Sequence, residues 1–211
     1  MNKEDTKQII LDRALELFAE KGYESVSVGD IAAAVGIKAP SLYNHYKSKQ
    51  AIFEAIVNSV AEKYQSDTNK INIHVENSPK DVPIFKQITV EDLYAKVCEM
   101  FIYSLRDEKI SRFRKMMTIE QFRSPQLAEL YSARYVDRMV AYHADIFCGL
   151  IAAGEIVNED PQTLALIYVS PLIVLLGVCD RQPEREGECL QKLETHVKSF
   201  YKTYNTGAQK Q

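Results

Sequence analysis

Between Ser27 and Lys49 the chain packs two helix starts and one helix stop into a span that leaves room only for two brief helices and a tight turn. Ser27 followed three residues later by Asp30 has the pattern of a capping box, in which hydroxyl and carboxylate satisfy each other's backbone amides. A helix is expected from there to about Val35. Gly36 supplies the left-handed residue that closes it, and Pro40 sits in a first turn, where its missing amide hydrogen costs nothing. Leu42 then anchors a second helix on Ile31 and Ala34. Lys38, Ala39, Ser41, Tyr43, Asn44 and His45 are left on its outward arc. This is the pattern of a helix-turn-helix, whose second helix can enter a DNA major groove.

Charge supports this only through its distribution. Residues 1–50 carry seven Lys/Arg and seven Asp/Glu, which cancel. No acid lies between Asp30 and Glu54, however, and Lys38, Lys47 and Lys49 fall inside that window, so the candidate DNA face is locally positive. Ser48 and Lys49 open the next helix, where a hydroxyl, free amide hydrogens and an ammonium can hold one phosphate together. A site this small is expected to bind weakly and salt-sensitively as a single copy, which favours a dimer.

The spacing of Ala14, Phe18, Gly22, Tyr23, Ser27, Val28, Asp30, Ile31, Ala32, Gly36, Ile37, Leu42, Tyr43, His45, Tyr46, Ser48, Lys49 and Ile52 makes residues 9–53 resemble the DNA-binding domain of the TetR family of one-component transcriptional regulators. The resemblance implies that Tyr43 contacts a phosphate and that Lys49 does likewise at the start of the fourth helix. Pro40 departs from the usual Gly or Ala, and Tyr46 from the more frequent Phe. With Ser27, Tyr46, Lys47, Ser48 and Lys49 flanking the outward arc, these residues form the expected DNA-binding set. The family also implies a cavity between helices 4 to 8 that binds an inducer and levers helix 4, changing the separation of the two reading helices.

The remaining chain reads as helical nearly throughout, with eight glycines in 211 residues and no sustained period-two pattern. The expected fold is all-α, with about nine helices. A three-helix helix-turn-helix domain spans 1–47, and a larger helical ligand-binding and dimerisation domain spans 48–211. Helix 1 covers about 6–21, burying Ile10, Ala14, Leu17 and Phe18, and helix 4 runs from Ser48 to about Ser66. Residues 68–88 read as an irregular, mobile connection with His74 in solvent. Later helices open at Thr89 with Asp92 in capping-box position, at Glu108, at Ser124-Pro125, at Asp160-Pro161 and at about Glu184.

The helix from Ser124 to Gly154 carries Leu127, Tyr131, Arg134, Tyr135, Arg138, Met139, Tyr142, Ile146 and Leu150 along one expected face. Ordinary packing with snorkelling arginines competes with a functional reading. In the latter, Tyr131, Tyr135, Tyr142 and His143 join Met100, Tyr103, Met117, Glu120, Gln121 and Tyr168 in lining an apolar cavity for a lipophilic or aromatic effector. The helix from Pro161 is apolar around nearly its whole circumference, and the last helix has a stripe at Leu190, Leu193, Val197, Phe200 and Tyr204. Those two helices are expected to form a homodimer interface.

Other classes find little support. No metal cluster, Gly-rich phosphate loop or nucleophile motif is present in the sequence, so no cofactor and no enzymatic activity are expected. The run from Leu164 to Val178 is interrupted by Ser170, Pro171 and Gly177 and reads as a buried helix with no membrane partner. Without a signal-peptide core, a cytoplasmic location is expected, with Cys98, Cys148, Cys179 and Cys189 as free thiols. The leading expectation is a repressor released from a near-palindromic operator by a small molecule. Control by a partner protein or by thiol oxidation is the alternative, and an enzyme ranks last.

Overall fold

Helix caps set most of the element boundaries in the computed structural model, which describes residues 3–208. Helix α1 spans Lys3–Lys21, α2 Val28–Val35, α3 Ala39–Tyr43, α4 Lys49–Lys70, α5 Val82–Phe85, α6 Val90–Arg106, α7 Glu108–Glu120, α8 Pro125–Ser132, α9 Arg138–Ala152, α10 Pro161–Arg181 and α11 Glu186–Tyr204. The architecture is all-α. Among the described residues the β-type pairing is one isolated bridge between Ile156 and Asn205.

The chain forms two compact units. Met1–Ser66 with Glu108–Glu129 make the first, and Asp67–Asp107 with Leu130–Gln211 make the second. The first draws on segments from both sides of residue 47, because α4 and α7 share its core with the helix-turn-helix. Ile10, Ala14, Leu15, Phe18, Ile31, Leu42, Ile52, Phe113, Met116 and Met117 are almost fully buried in it. Each of these side chains other than Ala14 contributes roughly 1.5–3 kcal/mol relative to exposure. Helix α1 packs on both α2 and α7, so its inward stripe is broader than the sequence pattern alone suggests. Leu11 and Leu15 are buried, while the expected Leu17 is only half-buried. Arg112 pairs with Glu16 at 3.3 Å and Lys109 donates to Ser59 Oγ at 2.8 Å, lacing α7 to α1 and α4.

In the second unit, α6, α9, α10 and α11 enclose two apolar clusters, one around Phe147, Tyr168 and Phe200 and one around Phe101, Leu172 and Leu193. Thr89 caps α6 by accepting from the Asp92 amide at 3.1 Å, and Asp160 caps α10 by accepting from the Thr163 amide at 2.7 Å. Helix α10 is long and apolar enough, by length and composition, to cross a membrane. It buries Leu164, Tyr168, Val169, Leu172 and Leu175 against neighbouring helices, as a core helix does.

Two expectations are corrected here. Residues 68–88 are not an irregular mobile connection: α4 extends to Lys70, and a 3-10 turn at Ser78–Lys80 and the single turn α5 follow. Asp81, fully buried, accepts from the His74 amide at 2.7 Å and from the Tyr142 hydroxyl at 2.6 Å, and its other oxygen lies 2.5 Å from His74 Nδ1. His74 is therefore half-buried and bonded, not solvated. Ser78 donates to Asp145 at 2.6 Å, and Gly149 allows α5 to press on α9, since a Cβ there would meet Val82 at 2.7 Å.

The second correction concerns the rod formed by α8 and α9. At Ala133–Asp137 its hydrogen bonding changes to the π pattern, which inserts one extra residue. The face that begins at Leu127 and Tyr131 therefore continues through Met139, His143, Ile146 and Leu150. Arg138, which the uninterrupted pattern placed on the same face, is exposed and pairs with Glu76 at 2.7 Å.

Candidate nucleic-acid interface

Ser27 and Asp30 close the capping box as their spacing predicts. The Asp30 amide donates to Ser27 Oγ at 3.1 Å, and the Ser27 amide donates to Asp30 Oδ2 at 2.8 Å. The Ser27 hydroxyl, donating to Asp30 Oδ2 at 2.6 Å, and then the Ser27 amide hold the Asp30 carboxyl below its ordinary range. Ser27 is thus committed to shaping α2. At the other end, Gly36 adopts φ 79°, and its amide and that of Ile37 donate to the Ala33 and Ala32 carbonyls at 3.1 and 3.0 Å. A residue with a Cβ is strained at that angle, so glycine is what lets α3 turn away sharply.

Leu42, wholly buried, fastens α3 to α2. With that side inward, Lys38, Ser41, Tyr43, Asn44 and Lys47 are exposed, Tyr43 at 52% of its surface. Ala39 is half-buried, as are His45 and Tyr46. His45 Nδ1 is enclosed and has no hydrogen-bond partner among the described residues. Burial pushes the Tyr46 phenol up, in keeping with a core aromatic. Ser48 Oγ accepts from the Ala51 amide at 3.0 Å and caps α4.

Lys49 is placed differently from its neighbours. Its ammonium donates to the Tyr23 carbonyl at 2.9 Å and the Glu24 carbonyl at 3.3 Å, and lies 4.4 Å from the centre of the Tyr23 ring. Tyr23 stands edge-on to Phe53 at 5.1 Å, and its hydroxyl donates to Gln50 at 2.9 Å. The turn after α1 is thereby fastened to the start of α4. Sequence reasoning missed this role, for which only the joint presence of Tyr23 and Lys49 is a signal.

The expected effector residues fall into separate groups. Met117 and Glu120 are buried in the first unit, Glu120 beside Arg123 at 3.2 Å, and Gln121 donates to the Thr118 carbonyl at 2.9 Å. In the second unit, half-buried Met100 and Tyr103 lie on α6, with the Tyr103 hydroxyl donating to Asp67 at 2.9 Å. The Tyr131 and Tyr135 rings meet at a tilt of 45° with centroids 5.2 Å apart. Tyr142, His143 and Tyr168 do come together: the His143 ring lies 5.2 Å from each of the other two.

Residues 10–56 match the model of the family described as bacterial regulatory proteins, tetR family. Over 51 residues the chain is 49% identical to IcaR, the negative transcriptional regulator of the biofilm operon icaADBC in Staphylococcus aureus, which covers 24% of this chain and 27% of IcaR. It is 29% identical over 169 residues to the transcriptional regulator YezE of Bacillus subtilis, covering 78% of this chain and 80% of YezE. The fold is similar to that of SmeT, repressor of a multidrug efflux pump in Stenotrophomonas maltophilia. In the SmeT–triclosan complex the TM-score is 0.67 at 22% identity, covering 96% of this chain and 92% of SmeT. Geometry and likeness together define a helix-turn-helix segment similar to the DNA-binding segment of transcriptional regulators. The likeness to the TetR family covers residues 10–56 at the level of the family model, and the fold as a whole is similar to that of solved TetR-family regulators.

Proposed function

We propose that the protein is a cytoplasmic, homodimeric repressor that binds a near-palindromic operator and is released by a small lipophilic or aromatic effector. The observation that carries this is the exposure of Lys38, Ser41, Tyr43, Asn44 and Lys47 on a helix whose opposite side is pinned by Leu42. Tyr43 and Lys47 position the protein on phosphates, and Ser41 and Asn44 face base edges. Ala39 and His45 border the groove contact. Ser27, Tyr46, Ser48 and Lys49 act one step back, by holding α2, α3 and the start of α4 in place.

Dimerisation is supported by α10, which leaves Leu166, Ile167 and Val174 exposed in the single chain, Val174 at 62%. A second copy covering this stripe would remove it from water and set two reading helices about 34–36 Å apart. IcaR and SmeT are named as a negative regulator and a repressor, and SmeT has been solved with triclosan. Those likenesses favour repression and an aromatic effector here. Control by thiol oxidation is less favoured for the buried pair, because burial and then the hydrogen bond to Cys189 push the Cys179 thiol up to about 12.

A gel-shift titration against the DNA upstream of the protein's own gene, with random competitor at two salt concentrations, tests the reading. Competitor-resistant, salt-sensitive shifts are expected. Binding that random competitor removes completely would sink operator recognition at that site.

A further inference from the structure

Pro40 brings to the first turn of α3 no amide hydrogen and a ring made only of hydrocarbon. The turn closes without it, since the Lys38 carbonyl accepts from the Ser41 amide at 2.9 Å and from the Leu42 amide at 3.2 Å. Helix initiation therefore accounts for the proline's backbone angle but not for the place its ring takes. That place is set by Leu42, which is wholly buried and holds α3 on α2. At about 100° per residue, Pro40 and Asn44 each lie roughly 160° around the helix from Leu42, whereas Ser41 and Tyr43 lie about 100° to either side. Pro40 and Asn44 are both exposed, while Ala39 is half-buried. The two residues that stand furthest round from the core anchor are thus a hydrocarbon ring and a carboxamide, one turn apart on one line.

Their chemistry separates what each can read. The N-terminal part of a recognition helix meets base edges in the major groove. Ring nitrogens and carbonyl oxygens there accept hydrogen bonds, amino groups donate them, and the C5-methyl of thymine does neither. A hydrocarbon ring set against an acceptor or an amino group displaces its water and returns no hydrogen bond. Against the thymine methyl it loses nothing and takes apolar surface of both partners out of water. The ring is also fixed by its own closure, so the contact costs almost no side-chain entropy. Asn44 carries the donor and acceptor that the proline lacks, a pair suited to adenine.

We infer that Pro40 is a base-reading residue that selects a thymine in each half-site of the operator by packing its ring on the thymine C5-methyl. This rests on the regulator reading above. The test is selection by the full chain from a random duplex library, followed by gel shifts in which single thymines of the selected duplex are replaced by uracil, which lacks only that methyl. A thymine is expected at one fixed position in both half-sites, and its replacement should weaken binding roughly fourfold per half-site, the worth of about one buried methyl group. Pro40→Gly and Pro40→Ser, the second keeping a residue that starts helices well, should bind the thymine and uracil duplexes equally. Each comparison is made within one protein, so a loss of stability in a variant does not imitate the result. Equal binding of all thymine and uracil duplexes by the parent, or a penalty that persists in full in either variant, would overturn the contact while leaving operator recognition intact. Selection of no common sequence would remove the regulator reading and the contact with it.

Discussion

The Lys49 ammonium sits over the Tyr23 ring, 4.4 Å from its centre, while donating to the Tyr23 carbonyl at 2.9 Å. The lysine that the sequence pattern assigns to a phosphate is thus also what ties α4 to the turn behind the reading helices. Lys49→Ala should lower stability by about 1 kcal/mol and weaken operator binding, while leaving the slope of log affinity against log salt unchanged. A slope smaller by about one unit per half-site, measured by gel shift over a salt series, would show instead that the ammonium reaches a phosphate in the complex.

Tyr43 is half exposed and supports no core, so Tyr43→Ala should leave the melting temperature nearly unchanged. It should weaken binding to operator and random DNA by similar factors, since a phosphate contact positions without specifying. Competition gel shifts measure both, and a loss confined to operator would make Tyr43 a base reader.

Asp30 supplies a pH dependence of known sign. The Ser27 hydroxyl, and then the Ser27 amide, depress its carboxyl below 3.8. A depressed carboxylate contributes stability above its unfolded pKa and loses it as pH falls through the folded value. Asp30→Asn should therefore be less stable than the parent at neutral pH, with the gap narrowing once pH drops below 3.8. Thermal melts of both proteins between pH 7 and pH 3 check this.

Asp81 accepts three hydrogen bonds in full burial. Asp81→Asn should cost about 2–3 kcal/mol and Tyr142→Phe about 1 kcal/mol, read by urea denaturation. Equal and negligible losses would mean that residues 73–81 do not brace α9.

Val174→Lys places a charge in the middle of the bare α10 stripe. The variant should sediment as a monomer at concentrations where the parent is dimeric, and its operator affinity should fall by tenfold or more. An unaltered dimer would move the interface off α10.

The helix-turn-helix was legible because its determinants are local. Ser27 and Asp30 are three residues apart, Gly36 closes its own helix, and the Thr89 and Asp160 caps follow the same short-range logic. What was not legible depends on partners far along the chain. Asp81 reaches Tyr142, and Ser78 reaches Asp145, across more than sixty residues, so a stretch rich in Asn, Ser and Pro reads as loose when it is tied down. The Lys49 ammonium has the same difficulty, since its destination lies in another helix's exit turn. Tyr131, Tyr135 and Tyr142 were placed on one face by an uninterrupted helical period, which the π segment at Ala133–Asp137 breaks.

That segment behaves like a spacer shim in a keyed shaft. Removing one residue from Ala133–Asp137 would let the rod relax to an ordinary α-helix with the inward face beyond it still in register, whereas forcing all five residues into the α pattern would rotate everything beyond by about 100°. In that second case the step from Met139 to His143, Ile146 and Leu150 would swing out of the core, and Arg138 would take the inward setting. A single-residue deletion there should therefore be tolerated better than the same deletion a turn later, where the α-helix has no extra residue to give up.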